Sequence, residues 1–270
     1  MSDTSAVNVE VTARLELAVA VAREAGWITL EYFRSEDLRV DRKGDDTPVT
    51  IADRRAEEHL RHRIAEVFPD DSVFGEELPE RSGPSDFRWI VDPIDGTKSF
   101  IHGVPLYGTL VGVEHEGRPA VGVIYAPGTQ ECVYAATGQG AWYFHGKAKP
   151  QRAEVSRCGR LSEGLFLTSE IKTWGEIGRA DAYARLDGTA RLARTWGDCY
   201  GYLMVATGRA EAMVDPLMAL WDSAALLPIM RESGGRFTDW HDQETIHGGE
   251  GIGTNGHVHE EVLKLLKGEG

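Results

Sequence analysis

The sequence has few cysteines and no long hydrophobic run. Its three cysteines, Cys132, Cys158 and Cys199, form no Cys-x-x-Cys pair and are odd in number. A disulfide framework and a thiolate zinc site are therefore not indicated, and this cysteine usage fits a reducing cytoplasm. No run of eighteen apolar residues occurs, and the first residues lack the basic and apolar regions of a signal peptide. We expect a soluble, cytoplasmic protein without a membrane partner.

Basic residues are also scarce, because 29 lysines and arginines stand against 43 acidic residues and leave a formal net charge of -14. A nucleic-acid partner is not expected, since phosphate backbones are bound by clustered basic side chains. A small phosphate-bearing substrate is compatible with this charge if metal ions supply positive charge locally.

The 270 residues are 41% hydrophobic and contain no internal repeat or low-complexity tract. We expect one compact unit with subdomains at 1–148 and 149–270, and a mixed α/β layered architecture. Apolar residues at a helical period predict helices over 12–33 and 51–68, the second capped by Thr50 and ended by Pro69. The further elements predicted are strands at 73–77, 89–92, 165–168, 212–215 and 236–240, antiparallel hairpins over 108–143, and helices at 199–207, 220–232 (kinked or broken at Pro228) and 259–267.

Two aspartates stand at the end of an apolar strand, in the stretch Asp92-Pro-Ile-Asp-Gly-Thr97. Ligands bind outside the carboxyl ends of strands in α/β sheets, so Asp92 is a candidate site residue. Gly96 permits a tight turn, and a helix opening at Thr97 would aim free N–H groups at the same place, as in a phosphate site. Alternatively, both aspartates are turn or cap residues.

More carboxylates stand at the ends of other predicted elements: Glu76 and Glu77 after a strand, and Asp53 and Asp222 in first helical turns. Each has a plain alternative, since helix-dipole complementation or solvation accounts for any one of them. One shared site accounts for all of them. Carboxylates so close repel each other unless cations intervene, which indicates two or three divalent ions of the oxygen-preferring kind, Mg²⁺ or Mn²⁺.

The stretches "FGEE", "WIVDPIDGTKSF" and "LWDSAALLPIMRESGG", in this order, resemble the inositol monophosphatase superfamily of Mg²⁺-dependent, lithium-sensitive phosphomonoesterases. The resemblance covers nearly the whole chain. "DPIDGTKSF", "RTWGDCYGYLMVATGRAEAMVD" and "TNGHVHEEV" are most similar to the histidinol-phosphate phosphatases. The resemblance to the superfamily implies a layered αβαβα sandwich, an architecture shared with fructose-1,6-bisphosphatase. It also implies a homodimer.

The resemblance also implies roles for individual residues. The implied metal ligands are Glu76, Asp92, the Ile94 carbonyl, Asp95 and Asp222, with Asp53 near a further, weaker ion. Thr97 and Asp53 would orient and help deprotonate the attacking water, with Glu76 and Asp95 beside them as catalytic residues. N–H groups of Gly96 and Thr97 would bind phosphate. The implied cofactor is Mg²⁺, two to three ions, with Mn²⁺ as a substitute and Li⁺ as an inhibitor.

Lys43 and Glu77 are further candidates near the site. Lys43 matches a family position and would add charge or fix Glu76 or Asp53, while a lysine in a polar loop is equally explained by solvation. The surrounding loop, 35–50, is a candidate mobile lid.

Histidinol phosphate carries an ammonium and an imidazole, so its pocket should offer carboxylates. Asp198 and Asp215 are the candidates, beside Asp95 and Asp222, with Arg194, Trp196 and Tyr200 as further lining residues; alternatively, Asp198 caps the helix that begins at Cys199. The expected activity is hydrolysis of L-histidinol phosphate to L-histidinol and phosphate. The alternative is an inositol-1-monophosphatase or a related sugar or nucleotide phosphatase.

Two other classes of protein are disfavoured. Gly251-Ile-Gly-Thr-Asn-Gly256 matches the dinucleotide-binding pattern, but only fourteen residues follow it, too few for a Rossmann unit. His257 and His259 are expected to be surface histidines. A non-catalytic binding protein would be indicated if the acidic motif residues were missing, and they are present.

Overall fold

The structure, a computed structural model, describes residues 3–36, 38–42 and 48–269. The helices in this part of the chain are α1 (Asp3–Leu30), α2 (Ile51–Val67), α3 (Thr97–Ile101), α4 (Ile171–Glu176), α5 (Ala180–Thr189), α6 (Asp198–Ala206), α7 (Leu220–Ser223), α8 (Leu226–Glu232) and α9 (His259–Lys267). The strands are β1 (Val40–Arg42), β2 (Pro48–Thr50), β3 (Ser72–Gly75), β4 (Phe87–Asp95), β5 (Gly108–His115), β6 (Arg118–Ala126), β7 (Glu131–Ala136), β8 (Gly140–His145), β9 (Gln151–Arg152), β10 (Leu165–Leu167), β11 (Leu192–Arg194), β12 (Ala212–Asp215), β13 (Arg236–Thr238) and β14 (Gly251–Thr254).

Two large sheets organise the described residues. The first contains β3 to β9 in chain order, with β3 parallel to β4 and every later pair antiparallel. The second has the order β11-β10-β12-β14-β13, parallel around β10 and antiparallel around β14. The antiparallel hairpins expected over 108–143 are thus present as β5 to β8.

Side-chain alternation along the first sheet separates two apolar cores. On β4, Trp89 and Val91 pack with α1 and α2, whereas Ile90 faces the opposite core, which contains α6 and α8 and the inner face of the second sheet. A third core joins Leu186 of α5 and Val262 of α9 to the outer face of that sheet. The layers therefore run helix, sheet, helix, sheet, helix, which confirms the expected αβαβα sandwich.

Several predicted boundaries differ from the observed ones. The first helix was expected from Thr12 and begins at Asp3. The helix expected over 220–232 is divided into α7 and α8, with the break at Ala224 and Ala225. Pro228 accounts for the break, because it has no N–H to donate to the Ala224 carbonyl four residues earlier and its ring crowds that carbonyl.

Two facing glycines of the first sheet leave room for the backbone at this helix break. Gly112 of β5 and Gly122 of β6 are direct partners in the antiparallel register. A Cβ atom on Gly122 would lie 2.0 Å from the Ala225 carbonyl oxygen, and one on Gly112 would lie 2.7 Å from the Ala224 Cβ. The glycine pair thus forms a notch for the start of α8, and this contact brings α7 with Asp222 toward the end of β4.

The glycine-rich segment near the C-terminal end is not a dinucleotide-binding turn. Residues 251–254 form β14, which is antiparallel to both of its neighbours. The expectation of two surface histidines is wrong for His259, which is fully buried and lies within hydrogen-bond distance of Thr254 and Thr238 hydroxyls, at 3.0 and 3.2 Å. His257 is exposed.

No helix in the described part of the chain combines the length and apolar character that a membrane span requires. The division into subdomains 1–148 and 149–270 stays a prediction.

Candidate functional site

The end of β4 places two aspartates at the edge of the first sheet. The register against β5 shifts between Asp92 and Asp95, where Pro93 interrupts the strand. Asp92 is buried, and its Oδ1 accepts the N–H of Ile94 at 2.9 Å. This local bond fixes the side chain at the irregular end of β4 and is the kind of bond expected if Asp92 has the local structural role that an Asp-Pro pair often has. This local role and a place in the site are therefore compatible.

Asp222 reaches the same edge from the first turn of α7. Its Oδ2 accepts the N–H of Ala219 at 2.7 Å, which holds the carboxylate at the start of the helix. Each of Asp92, Asp95 and Asp222 offers one oxygen atom, and these atoms all lie within 4.8 Å of one another. Residues from separate parts of the sequence therefore form a single acidic cluster.

Asp53 has one carboxylate oxygen engaged and one free. Thr50 caps α2, and both its N–H (2.8 Å) and its hydroxyl (2.6 Å) donate to Asp53 Oδ2. Asp53 Oδ1 is buried and has no hydrogen-bond partner in the described part of the structure. Burial raises the pKa of Asp53 to about 6. A buried oxygen without a donor is costly, and a bound cation would satisfy it.

Burial and mutual repulsion make the ionised cluster unfavourable without cations. Burial, and next the charge of Glu76, raise the pKa of Asp92 well above its ordinary value; burial, and next Asp198, do the same for Asp95. Burial raises the pKa of Asp222 to about 7. Divalent cations would hold these groups ionised. The donors are all oxygen atoms and include one unsatisfied buried oxygen, so the site fits Mg²⁺ or Mn²⁺.

The turn that carries Glu76 and Glu77 is pinned by a buried glutamate of α2. Glu57 accepts the N–H of Glu77 at 2.7 Å and the N–H of Leu78 at 3.1 Å. A Cβ on Gly75 would lie 2.3 Å from Glu57 Oε1, so the turn and the carboxylate are closely packed. Glu76 lines the cavity described below, whereas Glu77 contributes its backbone to this turn.

Gly96 and Thr97 begin the short helix α3 directly after β4. Gly96 has φ +87°, a conformation that glycine adopts without strain. The Thr97 hydroxyl donates to the carbonyl oxygen of Ile94 at 3.0 Å. The first N–H groups of a helix have no acceptor within it, and an anion can accept hydrogen bonds from them. Thr97 thus contacts Ile94, while Asp53 is held by Thr50.

A cavity of about 570 Å³ joins the acidic cluster to the second sheet. Its inner wall includes Glu76, Gly96, Thr97 and Asp222. The opposite wall comes from the ends of β10, β11 and β12 and from α4 and the start of α6. It consists of Ser169, Glu170, Thr173, Thr195, Asp198, Asp215, Pro216 and Leu217. The two carboxylates predicted for the leaving alcohol therefore face the predicted phosphate site.

Ser169 connects the Asp215 carboxylate to the backbone of Asp198. Its N–H donates to Asp215 Oδ1 at 3.0 Å, and its hydroxyl accepts the N–H of Asp198 at 2.8 Å. The next N–H, that of Cys199, donates to Asp95 Oδ2. Burial raises the pKa of Asp215 to about 7, with the charge of Asp198 adding to it. The start of α6 thus links the metal-site aspartates to the opposite wall.

Asp198 does not cap α6 as the alternative proposed. It is the first residue of the helix, Gly197 is the N-cap residue, and no side-chain capping bond is present. Asp198 instead has φ +52°, the left-handed region that few non-glycine residues occupy. Such strain is found where the surrounding structure requires it, here in a residue facing the cavity.

Some predicted residues are not part of the cavity. The Arg194 side chain is exposed on the edge strand β11 and donates to the Ala193 carbonyl at 2.7 Å. The Tyr200 hydroxyl donates to Glu131 at 2.7 Å, and Trp196 is partly exposed outside the cavity lining. Lys43 lies outside the described residues, as do residues 37 and 43–47 of the predicted lid.

The sequence interpretation missed Lys98, Ser169, Glu170 and Thr195, which all line the cavity. Ser169 and Glu170 follow the apolar strand β10 closely. The strand-end criterion that identified Asp92 would therefore have found both residues.

Known proteins are similar to this chain over most of its length. A model of the inositol monophosphatase family matches residues 10–269. The histidinol-phosphatase of Chlorobaculum parvum is 44% identical over 89% of this chain and 91% of its own length. The histidinol-phosphatase of Mycobacterium tuberculosis is 39% identical over 93% and 97%. The solved structure of the extragenic suppressor protein suhB from Bartonella henselae superposes with a TM-score of 0.87 at 28% identity, covering 94% of this chain and 98% of that one.

The resemblance seen in the motifs, and its histidinol-phosphatase branch, is therefore confirmed. The chain belongs to the inositol monophosphatase family.

Proposed function

We propose that this chain is a Mg²⁺-dependent phosphomonoesterase that hydrolyses L-histidinol phosphate to L-histidinol and phosphate, a step of histidine biosynthesis. The observation that carries the proposal is a cavity lined on one side by Glu76 and by Asp222 of the acidic cluster, and on the other by Asp198 and Asp215. The relatives named histidinol-phosphatase support it.

The residues that would hold the ions are Glu76, Asp92, the Ile94 carbonyl, Asp95 and Asp222, with Asp53 near a further, weaker ion. When bound, the ions supply positive charge at the phosphate and lower the pKa of a water molecule. Two to three ions, Mn²⁺ as a substitute and inhibition by Li⁺ are parts of the proposal.

The chain itself positions the reactants. Asp53 has its free Oδ1 to accept a proton from the attacking water, and the Thr97 hydroxyl would orient that water. N–H groups of Gly96 and Thr97 would hold phosphate oxygens, while Glu76 and Asp95 complete the catalytic set. The water would attack phosphorus in line with the leaving oxygen, whose bond to phosphorus breaks while it takes up a proton from solvent to become the alcohol, so no phosphoenzyme is needed.

The opposite wall favours a cationic alcohol. Asp215 is buried and Asp198 is half-buried. Two carboxylates so little solvated are costly unless a cation pairs with them, and the ammonium of histidinol phosphate would do so. Asp198 and Asp215 are the proposed partners, beside Asp95 and Asp222. Inositol offers only hydroxyl groups and would leave these charges without a counter-ion. An inositol-1-monophosphatase or related sugar or nucleotide phosphatase is therefore the second candidate.

The test compares kcat/KM for phosphate release with Mg²⁺ from L-histidinol phosphate, inositol-1-phosphate, fructose-1,6-bisphosphate and 3′-phosphoadenosine 5′-phosphate. We expect histidinol phosphate to lead clearly. A lead for inositol-1-phosphate would keep the chemistry and refute the substrate. Asp92→Asn is the control for the site: it should abolish turnover of every substrate while the circular dichroism spectrum is retained. Near-normal activity of this variant would refute the metal site.

A cytoplasmic homodimer belongs to the same proposal. It is supported by the resemblance to the family, and light scattering of the purified protein tests the dimer. A substrate contact by Arg194 and a role for Lys43 stay predictions.

A further inference from the structure

An exposed ion pair spans the cavity. Lys98 of α3 follows the phosphate-site residue Thr97, and Glu170 follows β10 on the opposite wall. Lys98 Nζ lies 2.6 Å from Glu170 Oε2, and the two side chains are 68% and 45% exposed. Among the described residues that line the cavity, Lys98 is the only lysine or arginine. The pair therefore joins the two walls at the solvent side.

The depth of the acidic residues matches the layout of histidinol phosphate. Its ammonium lies on the carbon next to the ester carbon, and its imidazole lies one methylene farther from the phosphate. Asp198 is close to the phosphate site, because a Cβ on Gly96 would lie 3.0 Å from its Oδ2. Glu170 is more exposed than buried Asp215. The ammonium, which is nearer the phosphate, would therefore pair with Asp198 and Asp215, and the more distant imidazole ring would extend toward Glu170.

Resting on the proposed function, we propose that Glu170 is a specificity-determining residue that binds the imidazole N–H of the leaving alcohol. Lys98 forms its ion pair with Glu170 until the substrate binds and the imidazole replaces it. An imidazole ring donates a hydrogen bond in both its neutral and its protonated form. An ion pair in contact with water is weak, so exchanging Lys98 for the ring costs little. Lys98, released from Glu170, stays beside the phosphate site.

The test uses three substrates: L-histidinol phosphate, O-phosphoethanolamine, which has the ammonium but no imidazole, and p-nitrophenyl phosphate, which has neither group and serves as the nonspecific substrate. In Glu170→Gln, the ratio of kcat/KM for histidinol phosphate to that for O-phosphoethanolamine should fall about fivefold, mainly through KM. The matched control is Glu176→Gln, because Glu176 forms an exposed pair with Lys172 at 2.8 Å, away from the cavity lining. That variant should keep the wild-type ratio.

A loss of equal size on histidinol phosphate and O-phosphoethanolamine would place Glu170 on the ammonium and overturn the proposal. An unchanged ratio in Glu170→Gln, with wild-type protein still preferring histidinol phosphate, would overturn it and leave the proposed function intact. Wild-type protein that prefers inositol-1-phosphate would overturn the proposed function itself.

Lys98→Met tests the exchange separately. Removing the competing ammonium should lower the KM for histidinol phosphate about twofold relative to p-nitrophenyl phosphate. An increase in KM of the same size for all three substrates would assign Lys98 to the phosphate and overturn the exchange.

Discussion

The glycine pair beneath the α7–α8 break provides a test of how the fold positions Asp222. In Gly122→Ala, the new Cβ would lie 2.0 Å from the Ala225 carbonyl oxygen and 2.9 Å from its carbon. The distance from the new Cβ to the carbonyl oxygen is thus about 1.5 Å shorter than van der Waals contact. The opposing atoms are backbone, so α8 must shift or the sheet must deform.

The expected loss of stability is the difference between two effects. Overpacking a buried site costs about 1–3 kcal/mol, and a rigid backbone neighbour places this substitution at the upper end. Alanine restricts the unfolded chain more than glycine does, which returns about 0.4–1 kcal/mol. The net loss is about 2 kcal/mol, which for a chain of this length lowers the melting temperature by about 4 °C.

The effect on function should exceed the effect on the fold. Because α7 precedes the displaced break, Asp222 should move, and the Mg²⁺ concentration for half-maximal activity should rise about tenfold. Thermal unfolding by circular dichroism and Mg²⁺ titration of p-nitrophenyl phosphate hydrolysis measure the two effects. Gly159→Ala is the control, since nothing lies within 4 Å of its added Cβ.

If Gly122→Ala does not fold, Gly112→Ala gives the milder perturbation, because its Cβ would lie 2.7 Å from the Ala224 Cβ. A folded Gly122→Ala with the melting temperature and Mg²⁺ requirement of Gly159→Ala would refute the notch as the device that positions Asp222.

Two further predictions concern buried carboxylates outside the cluster. Asp71 receives Arg14 at 2.8 and 2.9 Å, so Asp71→Asn should cost about 3 kcal/mol in urea unfolding at pH 7. Burial raises the pKa of Asp71, but hydrogen bonds led by that of Arg14 outweigh it and hold this pKa below its ordinary value. The pair's contribution is therefore full above about pH 4 and declines as pH falls further, and a deficit in Asp71→Asn that is as large at pH 2.5 as at pH 7 would contradict this. Glu57→Gln should loosen the turn of Glu76 and raise the half-maximal Mg²⁺ concentration about tenfold; lower stability with an unchanged Mg²⁺ requirement would make Glu57 a fold residue only.

The residues predicted best are those whose chemistry is fixed locally. The Asp92 to Thr97 segment contains its own proline, glycine and helix start; the structure continues β4 to Asp95, three residues beyond the predicted strand end, and places Gly96 as the turn into α3. Thr50 likewise caps α2 as its position predicts. Local hydrogen bonds and backbone preferences determine such features, and a single stretch of sequence displays them.

Features that depend on distant packing were not predictable in this way. A buried His259 requires hydroxyl partners from β13 and β14, and nothing in its own segment indicates them. Gly112 and Gly122 read as ordinary members of alternating strands, yet their importance comes from a helix break about a hundred residues later in the chain. The ion pair of Lys98 with Glu170 likewise joins residues 72 positions apart. Register and tertiary contact decide these features.

The position of Asp198 shows why chemistry and substrate choice are not fully separable in this site. Its own N–H binds Ser169, and the following N–H binds Asp95, so the backbone at this point serves both walls of the cavity. Keeping both bonds holds Asp198 at φ +52°, a conformation that aspartate tolerates better than most residues and that β-branched residues resist. A substitution chosen only to suit another alcohol would therefore also disturb Asp95 unless it accepts this backbone. The bond to Asp95 thus limits which side chains residue 198 can carry, and so limits how far a substitution there can change the substrate.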